Sequence, residues 1–185
     1  TRPRGGFGFG RNFFLLLLIG LLWIGPAFIQ PRFIYAMLLW DVLVLAAWAL
    51  DLSSLTRPDE LTVSRSWNSA PALSNSANVT VTIENRGQGT VHVVATDDVP
   101  QQLRDDVAVL NFSVAPCDDV DEAYEIRPHE RGDVNLGLIY LRYTGPFRLA
   151  ERWAEAPVAQ QVRIYPNLEE AKQHSIYLVR SRQIE

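Results

Sequence analysis

One carboxylate stands where a charge is costly. Asp41 lies near the middle of residues 33–50, FIYAMLLWDVLVLAAWAL, a stretch with no other charged residue. At the centre of a bilayer an ionised Asp costs roughly 2.5–3.5 kcal/mol on insertion scales, so such a residue has a partner or is satisfied locally. Two readings stay open. In one, Asp41 holds this segment against another membrane protein or a second copy of the chain. In the other, it is satisfied within its own hairpin as a protonated acid, donating to a carbonyl or accepting from an indole such as that of Trp23. A proton path would need further polar residues inside the apolar segments, and the sequence offers none.

Other chemistry-bearing residue types do not assemble into a motif. His92, His129 and His174 are isolated, and His129-Glu130 lacks the second histidine of a zinc-binding H-E-x-x-H helix. There is no G-x-S-x-G elbow and no phosphate-binding loop. Cys117 is the single cysteine, which rules out an internal disulfide and fits a reducing compartment. Its neighbours Asp118 and Asp119 are not the electropositive surroundings that a reactive cysteine needs. The run Gly5-Gly6-Phe7-Gly8-Phe9-Gly10 is glycine-rich, but no strand precedes it and Arg11 stands where a dinucleotide loop needs a third glycine. It is expected to be a flexible lead-in whose phenylalanines touch lipid headgroups. Arg131-Gly132-Asp133 spells an adhesion tripeptide and reads as a turn leading into a strand. No catalytic, cofactor or metal site is expected. A net charge of -4, with basic residues scattered along the chain, argues against nucleic acid as a partner.

The elements that carry these residues fall into two halves. Residues 13–29 hold no charge, and residues 33–50 hold only Asp41. At 1.5 Å per residue each segment covers about 27 Å, close to the ~30 Å of a bilayer's hydrocarbon core. Only Gln30, Pro31 and Arg32 separate them, so they must form an antiparallel hairpin. Gly25-Pro26 is expected to break the first helix near its far end. Arg2, Arg4 and Arg11 precede the hairpin and Arg57 and Arg65 follow it, with only Arg32 between. The positive-inside rule then puts both flanks in the cytoplasm. A cleaved signal peptide does not account for a second span. Helices apolar on every face do not suit the surface of a soluble core. The lipid bilayer is therefore the first expected partner.

From residue 58 the pattern changes to short alternating runs, the signature of half-buried strands. They cover 61–66, 79–84, 91–96, 109–114, 122–127, 133–143 with a break near Gly137, and 162–165. Seven short strands over about 100 residues predict an all-β sandwich of immunoglobulin-like or fibronectin-like type. Asn167 with Glu170 three residues later forms a capping box, and Leu168, Ala171, Ser175 and Val179 follow at helical spacing. The expected organisation is a lead and transmembrane hairpin over 1–57, a sandwich over 58–166, and a helix over 167–185 leading to a further C-terminal domain. The chain opens at Thr1 and the last helical pattern reaches Glu185 without a cap, so a longer polypeptide is expected.

Three segments follow one another in the sandwich: Pro128-His-Glu-Arg131-Gly132, then Thr144-Gly145-Pro146-Phe147-Arg-Leu149, then Val162-Arg-Ile164-Tyr165-Pro166. In this order, after a two-span hairpin, the chain resembles the N-terminal half of the bacterial family called domain of unknown function 58. That family shows a P-x-x-R-G turn, a D-P-F/L-G-L-like segment and a V-x-V-Y-P strand. Here Gly145 stands in place of the Asp, and Arg148 in place of the Gly. The family's von Willebrand factor A-like region, with any metal site, would follow Glu185, so no ligand residue carries over. Pro128, Arg131, Gly132, Gly145, Pro146, Tyr165 and Pro166 are expected to maintain the fold. Arg131 is the candidate to bind a carbonyl or carboxylate across the sandwich.

The resemblance implies a non-enzymatic scaffold in the bacterial inner membrane, its β domain cytoplasmic. It would work with a MoxR-type AAA+ ATPase in assembling or maturing other proteins. The alternative is a structural accessory subunit of a larger membrane complex, or a homo-oligomer, held by the hairpin and Asp41. An enzyme whose catalytic domain lies beyond Glu185 is a third reading.

Overall fold

The computed structural model describes residues 2–68, 70–73, 75–104 and 106–165, with backbone alone for 2–5. Pro166, His174 and the helix expected over 167–185 lie outside the described residues.

The chain begins with a strand. β1 (Arg2–Phe9) pairs antiparallel with a later strand, β9 (Ala150–Ala156), from Arg2 opposite Glu155 to Phe9 opposite Ala150. This corrects the expectation of a flexible lead-in. The register is irregular between Pro3 and Phe7, where proline and glycines make a regular ladder costly.

Two apolar helical stretches follow. α1 (Arg11–Gly20) passes through a 3-10 turn over Leu21–Trp23 into α2 (Ile24–Ile29). The irregularity therefore lies one turn before the expected Gly25-Pro26 break. Proline lacks an N–H and its ring presses on the carbonyl four residues back. For Pro26 that carbonyl belongs to Leu22, inside the 3-10 turn. Pro26 itself sits in the first turn of α2, where a missing donor is tolerated. After Pro31 and Arg32 the chain reverses into α3 (Phe33–Ser54), 22 residues and about 33 Å long. The Trp40 indole donates to the Leu16 carbonyl at 2.9 Å, and Trp23 stacks on Phe33 with ring centres 5.9 Å apart. Much of the remaining hairpin surface is bare apolar side chain: Leu22, Phe28 and Ile29 are 74%, 88% and 91% exposed.

The remaining strands are β2 (Leu61–Trp67), β3 (Ala77–Asn85), β4 (Val91–Asp97), β5 (Val109–Val114), β6 (Asp118–Ile126), β7 (Gly132–Leu136), β8 (Ile139–Thr144) and β10 (Gln160–Ile164). Their alternation sets the faces. In β3, for example, Ala77, Val79, Val81, Ile83 and Asn85 all point inward. One sheet runs β1-β9-β8-β4-β5 and the facing sheet runs β2-β3-β6, while β10 pairs with β7. All these pairings are antiparallel. The β-sandwich expected from alternation is present, and the run 133–143 divides at Gly137 into β7 and β8. β9 was not expected.

Two buried clusters fill the sandwich. Leu61, Ile83, Val93, Phe112, Leu141 and Tyr143 belong to one, and Val79, Leu103, Ile126, Leu136 and Ile164 to the other. Between the sheets lies an ion pair. Arg65 of β2 forks onto both carboxylate oxygens of Asp97 in β4, and each side chain is 1% exposed. Arg65 also donates to the carbonyls of Val158 (3.1 Å) and Gly137 (3.3 Å). The hydroxyl of Tyr124, from β6, donates to Asp97 at 2.7 Å. Burial, with the nearby Asp97 charge, raises Tyr124 well above the usual tyrosine range. Arg65 thus does the cross-sandwich work expected of Arg131, which is exposed.

Breaking a buried pair leaves an uncompensated charge, which costs more than the pair itself contributes. Asp97→Ala should lower stability by about 3–5 kcal/mol. Arg65→Met with Asp97→Leu should cost less than the single change. Chemical denaturation of the detergent-solubilised chain checks the order.

Candidate functional site: the helix–sandwich junction

The base of the hairpin is where the residues with unusual surroundings gather. The apolar run of α3 ends at Leu50, and the next residue is Asp51, only 4% exposed. Its Oδ2 accepts the backbone N–H groups of Leu149 at 3.0 Å and Ala150 at 2.8 Å. Hydrogen bonds to a charged acceptor contribute roughly 1.5–3 kcal/mol each. Asp51 Oδ1 is buried with no hydrogen-bond partner. One helical turn later Leu55 and Thr56 are also buried. The buried Tyr143 hydroxyl donates to the Thr56 carbonyl at 3.0 Å, and Arg152 donates to that of Leu52 at 3.1 Å. Burial also raises Tyr143 above the ordinary tyrosine range.

The turn between β8 and β9, residues 145–149, supplies the other half of the joint. Arg148 N–H closes on the Gly145 carbonyl at 3.2 Å, and Arg148 has a positive φ of 54°. Gly145 is buried against α3. A Cβ there would lie 3.2 Å from Asp51 Oδ1 and 3.5 Å from Leu55, so glycine lets the strand end approach the helix. Leu149 joins Phe13 and Val44 in a buried cluster between the helices and the sandwich.

The start of the hairpin is tied to the same turn. Gly10 N–H donates to the Leu149 carbonyl at 2.7 Å, and Asn12 Nδ2 to that of Phe147 at 2.9 Å. The Trp48 indole donates to the Gly8 carbonyl at 3.3 Å. The Phe9 ring lies 4.5 Å from that of Phe13 and 4.8 Å from that of Trp48, centre to centre. Both ends of the hairpin therefore dock on one turn of the sandwich. The arrangement gathers no nucleophile with a base, and among the described residues no three metal-ligating side chains come together.

The residues singled out from the sequence are dispersed. Asp41, half-buried, faces the hairpin's own seam: a Cβ on Gly20 would lie 3.1 Å from its Oδ1. Trp23 is engaged with Phe33 instead. Gly145 is at the junction, while Pro146 stands exposed beside it. Pro128 is buried at the far end of the sandwich, between bonds from Arg127 N–H to Leu103 (3.0 Å) and from His129 N–H to Gln102 (2.8 Å). Gly132 opens β7 at φ +134°, a backbone that side chains disfavour. Tyr165 is 52% exposed, and its backbone zips to Pro71 and Leu73 at 3.0 and 2.9 Å. Asp51 was missed. Its signal was an acid directly after a long apolar run, which looks the same as an ordinary helix end entering water.

Asp51→Ala should remove both bonds and cost on the order of 3 kcal/mol at the joint. Hydrogen exchange of a peptide covering 145–152 should rise, while β3 stays protected. Unchanged exchange at Leu149 and Ala150 would mean the joint does not depend on Asp51.

No protein-family profile matches the chain, and neither does any curated protein sequence. Among solved structures, the ASH/PapD-like domain 7 of human CEP192 is similar over 60% of this chain and 91% of its own, with TM-score 0.39 and 11% identity. The CARDB domain of the PF1109 protein from Pyrococcus furiosus, in complex with di-metal ions, is similar over 58% of this chain and 94% of its own, with TM-score 0.35 and 12% identity.

Proposed function

We propose that this chain anchors an immunoglobulin-like β domain to the bacterial inner membrane and serves as a scaffold, its β domain in the cytoplasm. The observation that carries the reading is the bare apolar hairpin, fixed at its base to a folded sandwich. Each helical stretch is long and apolar enough to cross a bilayer. In water the exposed Leu22, Phe28 and Ile29 would be a large unfavourable surface; in lipid they are solvated. β1 pairs with β9, so the chain before the hairpin and the chain after it share one side. Exposed Arg11 and Arg57 flank the base there, which supports a cytoplasmic side.

The resemblance to the family called domain of unknown function 58 carries the rest of the reading. The partner is a MoxR-type AAA+ ATPase, and the work is assembly or maturation of other proteins. A joint with both helix ends locked to one turn suits that work, because pull or push on the sandwich reaches the anchor without a slack linker.

A structural accessory subunit is the second reading. The outer face of the five-stranded sheet favours it, since Val94, Thr96, Val109, Arg142 and Trp153 line an open recess there. Purification of the full-length protein in mild detergent, with and without ATP, separates the two. Nucleotide-dependent recovery of a MoxR-type ATPase supports the scaffold. Fixed-ratio membrane subunits without an ATPase would favour the subunit reading.

A further inference from the structure

The β8–β9 turn presents two faces. Leu149 points into the buried cluster with Phe13 and Val44. Phe147, two residues earlier, is 67% exposed, and Pro146 is exposed beside it. The height of these side chains is fixed by the backbone. Asn12, in the first turn of α1, bonds the Phe147 carbonyl at 2.9 Å and the Arg148 carbonyl at 3.3 Å. Asp51, one residue past the apolar run of α3, holds the Leu149 and Ala150 amides. The backbone of Phe147 is therefore held at the base of the hairpin, where the apolar run of α1 begins and that of α3 ends. Arg11 and Arg148 line one recess with Phe9 and Glu151, against strand residues of the five-stranded sheet such as His92 of β4 and Thr144 of β8. Among the described residues neither guanidinium has an ion-pair partner. Arg148 also holds a left-handed backbone, which costs a side chain about 1–2 kcal/mol over glycine.

We infer that this turn is a third membrane contact. Pro146 and Phe147 enter the interfacial layer of the leaflet nearest the sandwich, and Arg11 and Arg148 pair with the phosphates of anionic lipid headgroups. The inference rests on the hairpin crossing a bilayer. The occupant is lipid because the surface continues the bare face of the hairpin, and because aromatic and arginine side chains at one depth match the interface in both polarity and charge. The turn cannot leave that depth without breaking the bonds to Asn12 and Asp51. With two helices and one loop in contact, the sandwich is held at a set angle to the membrane.

Spin labels test this in the full chain. Cys117, the single cysteine and exposed, is replaced by Ser, and a label is attached through Phe147→Cys, Leu22→Cys or Val107→Cys. Vesicles of phosphatidylcholine with phosphatidylglycerol carry the protein. Relaxation by oxygen, which concentrates in lipid, is compared with relaxation by an aqueous nickel chelate. The label at 147 should give an oxygen-to-nickel ratio several-fold above that at 107 and approaching that at 22. Arg11→Gln with Arg148→Gln should move it toward water in these vesicles, with no change in phosphatidylcholine alone. A label at 147 that matches 107, with 22 in lipid, overturns the inference and leaves the anchor standing. An unchanged depth in the arginine variant overturns the headgroup pairing. If the label at 22 is also in water, the membrane reading falls with it.

Discussion

Asp51 Oδ2 accepts two backbone amides from the strand end that follows the β8–β9 turn, and the placement of the hairpin depends on this carboxylate. A helix that leaves a sandwich through an extended linker is free to pivot. Here α3 ends inside the domain it is attached to: Asp51, Leu55 and Thr56 are all buried. The glycine at 145 belongs to the same constraint, because a side chain there would crowd the carboxylate. Arg152 takes the carbonyl of Leu52, one of those that the last turn of the helix leaves without an intrahelical donor, and the hydroxyl of Tyr143 takes that of Thr56 just beyond the helix.

The second half of the constraint comes from the N-terminal side. β1 joins the edge of the five-stranded sheet before the chain enters α1. The hairpin is therefore an excursion between two parts of one domain, since strands of the same sandwich lie on both sides of it in sequence. Both of its ends are held by the 145–149 turn, one through Asp51 and the other through Gly10 and Asn12. Inside the sandwich the Arg65–Asp97–Tyr124 cluster ties the two sheets to each other, so the body bearing the joint is itself braced.

Much of the sandwich was legible in the sequence because burial on one face imposes period-two alternation. β3 and β4 read directly, as ANVTVTIEN and VHVVATD. The two strands that were not legible pair with each other. β9 is AERWAEA, whose alanines and glutamates have helix-forming composition; it is a strand because small Ala150, Ala154 and Ala156 fit under the sheet. β1 is RPRGGFGF, which has little intrinsic preference and is held by the partner edge. Asp41 drew notice for its apolar neighbours, and Asp51 did not, because sequence cannot show that a turn nearly 100 residues away supplies two amides. Arg65 makes the contact expected of Arg131 for a similar reason: which arginine reaches inward depends on register. The effect of Pro26 was legible in kind and displaced by one turn, since a proline acts on the carbonyl four residues behind it.

A junction tied in this way requires the hairpin and the sandwich to move as one body. The distance distribution between spin labels at Gln30, in the hairpin turn, and Val107, in the sandwich, measured by pulsed electron resonance in bilayers with Cys117→Ser, tests it most directly. A single narrow distribution is the predicted result. A broad or multiple distribution in the otherwise unaltered chain would contradict a rigid joint at Asp51.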